Sequence, residues 1–147
     1  MYHRILVHIV WTTRERVPTI DRAYAAYLSE HLPIIARQER ARVLELGIVA
    51  THLHLLLRLH PTTVIPRLLQ RMKGGTAHGI NRRLAPGAPV LRWAKGYSVQ
   101  SVSPRHRESA AAYVRDQHLH HPGEAIPGWA ELAAEAALKD SPGSGSR

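Results

Sequence analysis

His52 and His54 stand two residues apart in His52-Leu53-His54-Leu55-Leu56-Leu57, and Tyr113 and Gln117 stand four apart in Ala110-Ala111-Ala112-Tyr113-Val114-Arg115-Asp116-Gln117-His118. On a strand, alternate side chains share a face, so the two imidazoles would project together with Cα atoms about 6 to 7 Å apart, within reach of one metal ion. On a helix, residues four apart are neighbours, so the phenol and the amide would share a face. A phenol can attack phosphorus and hold the product as an ester, and an amide oxygen can ligate a hard cation. Each pair alone also has an ordinary reading: two polar residues on the solvated side of a half-buried strand, and a tyrosine packed in the core beside a glutamine in water. With 11 histidines in the chain, His-x-His by itself is a weak signal. His118, His120 and His121 fall where a helix would end, a position where the dipole favours solvated imidazoles, and they read as such rather than as ligands.

The elements that must position these groups follow from periodicity. Residues 3–13 alternate as a strand with Ile5, Val7, Ile9 and Trp11 on one side. Asp21 is placed to cap a helix over about 22–40, with Tyr24, Tyr27, Leu28, Ile34 and Ile35 apolar and Pro33 expected to kink or interrupt it. Two strands, 42–49 and 52–59, form an antiparallel pair joined at Ala50-Thr51, with Leu53, Leu55, Leu57 and Leu59 facing away from the histidines. A second helix over about 64–83 carries Ile65, Leu68, Leu69 and Met72, weakened at Gly74-Gly75. After the loop at 84–89, Tyr97, Val99 and Val102 suggest a fourth strand, and Ser103-Pro104 starts a third long helix through Leu119. The order is the βαββαβ of ferredoxin-like folds: an α+β sandwich with an antiparallel sheet and an added C-terminal helix bearing Tyr113. Trp129 to Lys139 reads as a short helix. The expected domain is 1–139, with 140–147 a disordered tail by composition.

Lysine and arginine number 20 against 11 acidic residues, and no acidic residue lies between Glu45 and Glu108. A one-signed middle of the chain fits a polyanionic partner, because basic groups placed on phosphates release condensed counterion. The chain has no cysteine, which excludes disulfides, thiolate metal sites and cysteine nucleophiles. No apolar run is long enough to span a bilayer and no signal-peptide pattern opens the chain, so a cytoplasmic protein is expected.

Taken together the motifs resemble the single-tyrosine HUH transposases of the insertion-sequence 200/605 type, including their relatives associated with repeated extragenic palindromes. Val7-His8-Ile9-Val10-Trp11-Thr12-Thr13-Arg14 is similar to the first-strand signature, His52-Leu53-His54 to the histidine-hydrophobic-histidine strand, and Leu68-Leu69-Gln70-Arg71-Met72-Lys73-Gly74 to the basic helix after it. Trp93 to Ser103 resembles the aromatic fourth-strand region, and Tyr113-Val114-Arg115-Asp116-Gln117 with His120-His121 the nucleophile helix. The match runs in order over about residues 3–121. Two departures stand out: Ala50-Thr51 where the family usually has a proline followed by an acidic or amide residue, and Asp116 where it often has asparagine.

The resemblance implies a bacterial enzyme, nucleoid-associated when bound, that cleaves and rejoins single-stranded DNA beside hairpins through a 5′-phosphotyrosine intermediate. Tyr113 would be the nucleophile and His52, His54 and Gln117 would hold Mg²⁺ or Mn²⁺. Arg14, Arg71, Lys73, Arg82, Arg83 and Lys95 are the expected DNA contacts, and a homodimer is the expected assembly, in which one copy's tyrosine helix could complete the other's site. The competing readings are a rolling-circle-type nicking initiator, a domesticated hairpin-binding protein without catalysis, and a zinc hydrolase; the last lacks an evident closed ligand set with a nearby carboxylate base.

Overall fold

Alternation of branched and polar residues drives the first strand, β1 (Ile5–Thr12), whose Val7, Ile9 and Trp11 enter the core while Ile5 at its start is half exposed. The computed structural model describes residues 4–139, with side chains to residue 136, so the tail at 140–147 and Tyr2 lie outside the described residues. Helix α1 (Arg22–Gln38) is capped by the Asp21 carboxylate, which accepts from the Tyr24 N–H at 2.9 Å. A hairpin follows, β2 (Ala41–Ile48) and β3 (His52–Leu59), then helix α2 (Ile65–Asn81) and the short strand β4 (Ser98–Val102). The sheet order is β2-β3-β1-β4 with every neighbour antiparallel, the ferredoxin-like arrangement expected from the element order.

One face of the sheet presents Val7, Ile9, Trp11, Leu53, Leu55, Leu57 and Leu59 to α1 and α2, which supply Leu28, Leu32, Ala36, Leu68, Leu69 and Met72 to a single core. The other face carries the complementary set, His8 on β1 and His52, His54 and Leu56 on β3, because the pleat sends alternate residues there. That second face is covered by α3 (Arg107–Arg115), which packs on β2 and β3, and by the one-turn helix α4 (Gln117–His120). Helix α5 (Trp129–Lys139) closes the described chain against α1.

Two local expectations are corrected. Pro33 does not interrupt α1, which runs through it, with Leu32 and Ala36 completely buried on either side; burial of this face offsets the lost hydrogen bond. Gly74-Gly75 lies inside the continuous helix α2. A Cβ at Gly75 would lie 3.2 Å from Ile35 Cδ1, and one at Gly79 would overlap the Tyr27 hydroxyl, so bare backbone here lets the two helices approach. The third long helix, expected to run unbroken through Leu119, is instead split at Asp116 (φ −95°, ψ 24°) into α3 and α4.

The segment between α2 and β4 is stitched down rather than loose. Trp93 packs edge-on against Trp11 with ring centroids 5.8 Å apart, and its indole N–H donates to Thr76 Oγ1 at 3.3 Å. The Lys73 ammonium donates to the carbonyls of Ala94 and Gly96 at 2.8 and 2.7 Å. This pins the approach to β4 beside β1.

Candidate active site under the tyrosine helix

The histidines of β3 are not on a solvated face. His52 and His54 are 3% and 6% exposed, because α3 and α4 lie over them. What permits that close cover is Gly47 on β2, the cross-strand partner of His54: a Cβ there would overlap the Val114 carbonyl oxygen and press on Gln117 Cγ. Gly47→Ala must therefore lift the helix from the sheet. We expect a loss of about 1 to 3 kcal/mol in stability and, since a displacement of order 1 Å at a reacting group can reduce rates about 10²-fold, a matching drop in cleavage. Melting temperature and single-turnover rate measured together check this; unchanged values for both would mean the helix does not need that closeness.

Each imidazole is held through Nδ1. His54 Nδ1 is 2.8 Å from His8 Nε2, with the two rings stacked at 5.0 Å, and His52 Nδ1 is 2.9 Å from Thr51 Oγ1 with Glu124 Oε2 at 3.7 Å. With Nδ1 occupied, each ring has Nε2 as its other nitrogen for a further contact, and partners of this kind fix ring orientation and tautomer. Burial pushes the His54 imidazole down to about 3, helped by the neighbouring His8, His52, His121 and His120. Burial also lowers His52, partly countered by the Glu124 carboxylate, and lowers His8. All three rings are accordingly neutral at pH 7, the state in which an imidazole can offer a lone pair.

Tyr113 lies over this pair. Its ring meets His54 at 5.7 Å and His8 at 5.9 Å, both edge-on, and it is 46% exposed. Gln117 is fully buried one turn on. Its Nε2 donates to the Tyr113 carbonyl at 2.8 Å, its amide lies against His52, and its Oε1 has no hydrogen-bond partner. A buried amide oxygen with nothing to accept from carries a penalty of about 1 to 3 kcal/mol, so this atom is poised for a ligand. Among the described residues no three His, Cys, Asp or Glu side chains converge on a metal position. His52, His54 and Gln117 together offer two imidazoles and one amide oxygen, donor types that suit a divalent cation which also accepts water and phosphate oxygens.

The expected phosphate-contacting residues are dispersed. Arg14 follows β1 in a turn (residues 14–16) whose Glu15 and Arg16 both have φ near +55°, and the Arg16 charge is close enough to His52 to lower it further. Such backbone is uncommon outside glycine and tends to occur at functional sites. Lys95 is exposed beside the pinned segment. Arg71 is on the opposite layer, bound to Glu39 at 2.6 Å and to Gln38. Arg82 and Arg83 are exposed after α2, the latter over the Tyr27 ring. Sequence reasoning did not assign His8, Gly47 or Glu124; His120 and His121 are exposed, as expected of solvated residues, and their rings also lie 5.1 Å from Tyr113 and His52 respectively. The cross-strand register of His8 with Leu56, one step from His54, becomes readable only once β1 and β3 are paired.

The site is thus a buried histidine pair beneath an exposed tyrosine on a ferredoxin-like sheet, an arrangement suited to nucleophilic chemistry on a phosphodiester. A family model described as transposase IS200 like matches residues 1–117, and the chain belongs to that family, the IS200/IS605 transposases. The matched span ends at Gln117 and includes His52, His54 and Tyr113. The chain is 27% identical over 124 residues to the ISDra2 transposase TnpA of Deinococcus radiodurans, covering 79% of this chain and 86% of that one. Its fold is shared with a solved chain assigned as a transposase from the same organism (TM-score 0.63, 23% identity, 86% and 95% covered). It is shared as well with a REP-associated tyrosine transposase bound to a REP hairpin (TM-score 0.64, 11% identity, 82% and 71% covered). No helix among the described residues is long and apolar enough to cross a membrane.

Proposed function

We propose that this transposase cleaves and rejoins single-stranded DNA beside hairpins through a covalent 5′-phosphotyrosine on Tyr113, with Mg²⁺ or Mn²⁺ held by His52, His54 and Gln117. The observation that carries the reading is the unpartnered, fully buried Gln117 Oε1 next to two buried neutral histidines and directly below an exposed phenol. The cation, when bound, neutralises charge on the non-bridging phosphate oxygens and orients the ester. Tyr113 attacks phosphorus through Oη, its proton passing to the solvent that its exposed side reaches. The bond from phosphorus to the 3′-oxygen breaks, and that oxygen leaves with a proton from solvent. Rejoining is the reverse, with an incoming 3′-hydroxyl as attacker, and the ester conserves the bond energy so that no nucleotide triphosphate is needed. His8 and Thr51 hold the imidazoles, and Gly47 lets the tyrosine helix sit against them. Hairpin-containing DNA as the partner is supported by the fold shared with the hairpin-bound transposase and by the acid-free span between Glu45 and Glu108.

A single-stranded hairpin with unpaired flanks, incubated with the protein and Mg²⁺ or Mn²⁺, should give a covalent protein-DNA species on a denaturing gel that EDTA prevents. Cleavage unaffected by EDTA would remove the metal from the reading.

Tyr113 and both histidines meet within one chain here, so a homodimer need not share its sites. Mixing His54→Ala with Tyr113→Phe protein is then expected to restore no activity, since each chain lacks one half of its own site. Recovery of about half the wild-type rate from mixed dimers would show that the tyrosine helix crosses to the partner.

A further inference from the structure

Beside Tyr113 a cleft of about 310 Å³ opens between β4 and α3, lined by His8, Gln100, Ser101, Ser103, His106 and Ser109, with Val102, Ala110 and Tyr113 completing the wall. Resting on the proposed chemistry at Tyr113, we propose that this cleft receives the base of a nucleotide adjoining the scissile phosphate, and that Gln100 reads its hydrogen-bonding edge.

The cleft and the nucleophile share walls: Tyr113 bounds one end, and the floor residue His8 is the group bonded to His54. A phosphate seated over the histidine pair therefore has its neighbouring nucleotide at the cleft mouth. The volume is at the lower end of small-ligand sites and suits one base rather than a stacked pair. The lining is mostly polar, and no carboxylate is present to repel a polyanion. Gln100, Ser101, Ser103 and His106 make no side-chain hydrogen bond among the described residues, so their donors and acceptors remain available to a ligand. An amide presents donor and acceptor together, the pattern that reads a base edge. Gln100 stands opposite His8 across the β1–β4 pairing, on the edge strand, where it can point at a base lying against the sheet. Neither the histidine pair nor Gln117 could supply this reading, since both are buried.

The test uses a hairpin DNA library with randomised single-stranded flanks. Wild-type protein with Mg²⁺ yields adducts and released 3′-ended fragments whose sequencing reports base preference on each side of the cut; Tyr113→Phe protein, selected on the same library by binding alone, reports preference without chemistry. We expect one flanking position to show a preference of about tenfold or more in both selections. Gln100→Ala should reduce it to about twofold in both, with Ser103→Ala intermediate, while preferences elsewhere stay as in wild type. Retention of the full preference by Gln100→Ala, or absence of any flanking preference in the wild type, overturns the proposal. A Gln100-dependent preference in the binding selection without a Tyr113 adduct upholds the cleft and instead removes the nucleophile assignment.

Discussion

Tyr113→Phe is expected to eliminate the covalent protein-DNA species and to lower strand cleavage by about 10³-fold or more, the scale seen when an enzyme's nucleophile is removed, while hairpin affinity stays within about twofold. The exchange removes one oxygen from a side chain already 46% exposed, so neither packing nor the basic surface changes. The other described tyrosines are committed elsewhere. Tyr24 donates its hydroxyl to the Pro89 carbonyl, Tyr27 stacks on His31 and fits against the bare backbone of Gly79, and Tyr97 precedes β4 without a ring contact to either β3 histidine. Denaturing gels and mass spectrometry of the digested adduct check the assignment. An adduct of wild-type yield in the Phe variant would transfer the role to another residue.

The sheet and its two faces were legible from alternation alone. Leu53, Leu55, Leu57 and Leu59 could occupy one side of β3 only if His52 and His54 occupied the other, and the structure has them so. The fate of that other side was not legible. Whether a strand face meets water or a helix depends on what packs there, and α3 arrives from more than fifty residues along the chain. The signal that it would be covered closely is Gly47, which in the sequence is one glycine among 10 and becomes informative only when its missing Cβ is found facing Val114. Thr51, where the family usually has an acidic or amide residue, likewise gains meaning from geometry: its hydroxyl reaches His52 Nδ1, with Glu124 on a later turn near the same atom. The approach to His52 of a carboxylate from much later in the chain is something no local pattern could announce. The basic residues illustrate a third limit. Net charge fits a polyanionic partner, but it cannot separate Lys73, whose ammonium holds two carbonyls of the pinned segment, from Lys95, which is exposed nearby.

The dependence of cleavage on the β3 histidines should divide according to whether a ring contacts the cation or only holds one that does. On the proposed ligand set His54→Ala removes a donor outright, so cleavage is expected to fall by about 10² to 10³-fold, the scale for deleting one group that stabilises transition-state charge. Raising Mn²⁺ should not restore it, because a buried alanine offers no replacement ligand. His8→Ala leaves the His54 donor in place but frees its Nδ1 from the partner 2.8 Å away; loss of such a partner typically weakens metal affinity about 10 to 100-fold, and excess Mn²⁺ should then recover most of the rate. Hairpin affinity should change no more than a few-fold in either variant, since phosphate contacts dominate binding. Cleavage titrated against Mn²⁺ for wild type and both variants separates these outcomes, with melting curves to confirm that each still folds. Wild-type cleavage by His54→Ala would remove the histidine pair from the chemistry, and a His8→Ala defect that excess metal leaves untouched would place His8 at the reacting phosphate instead of behind His54.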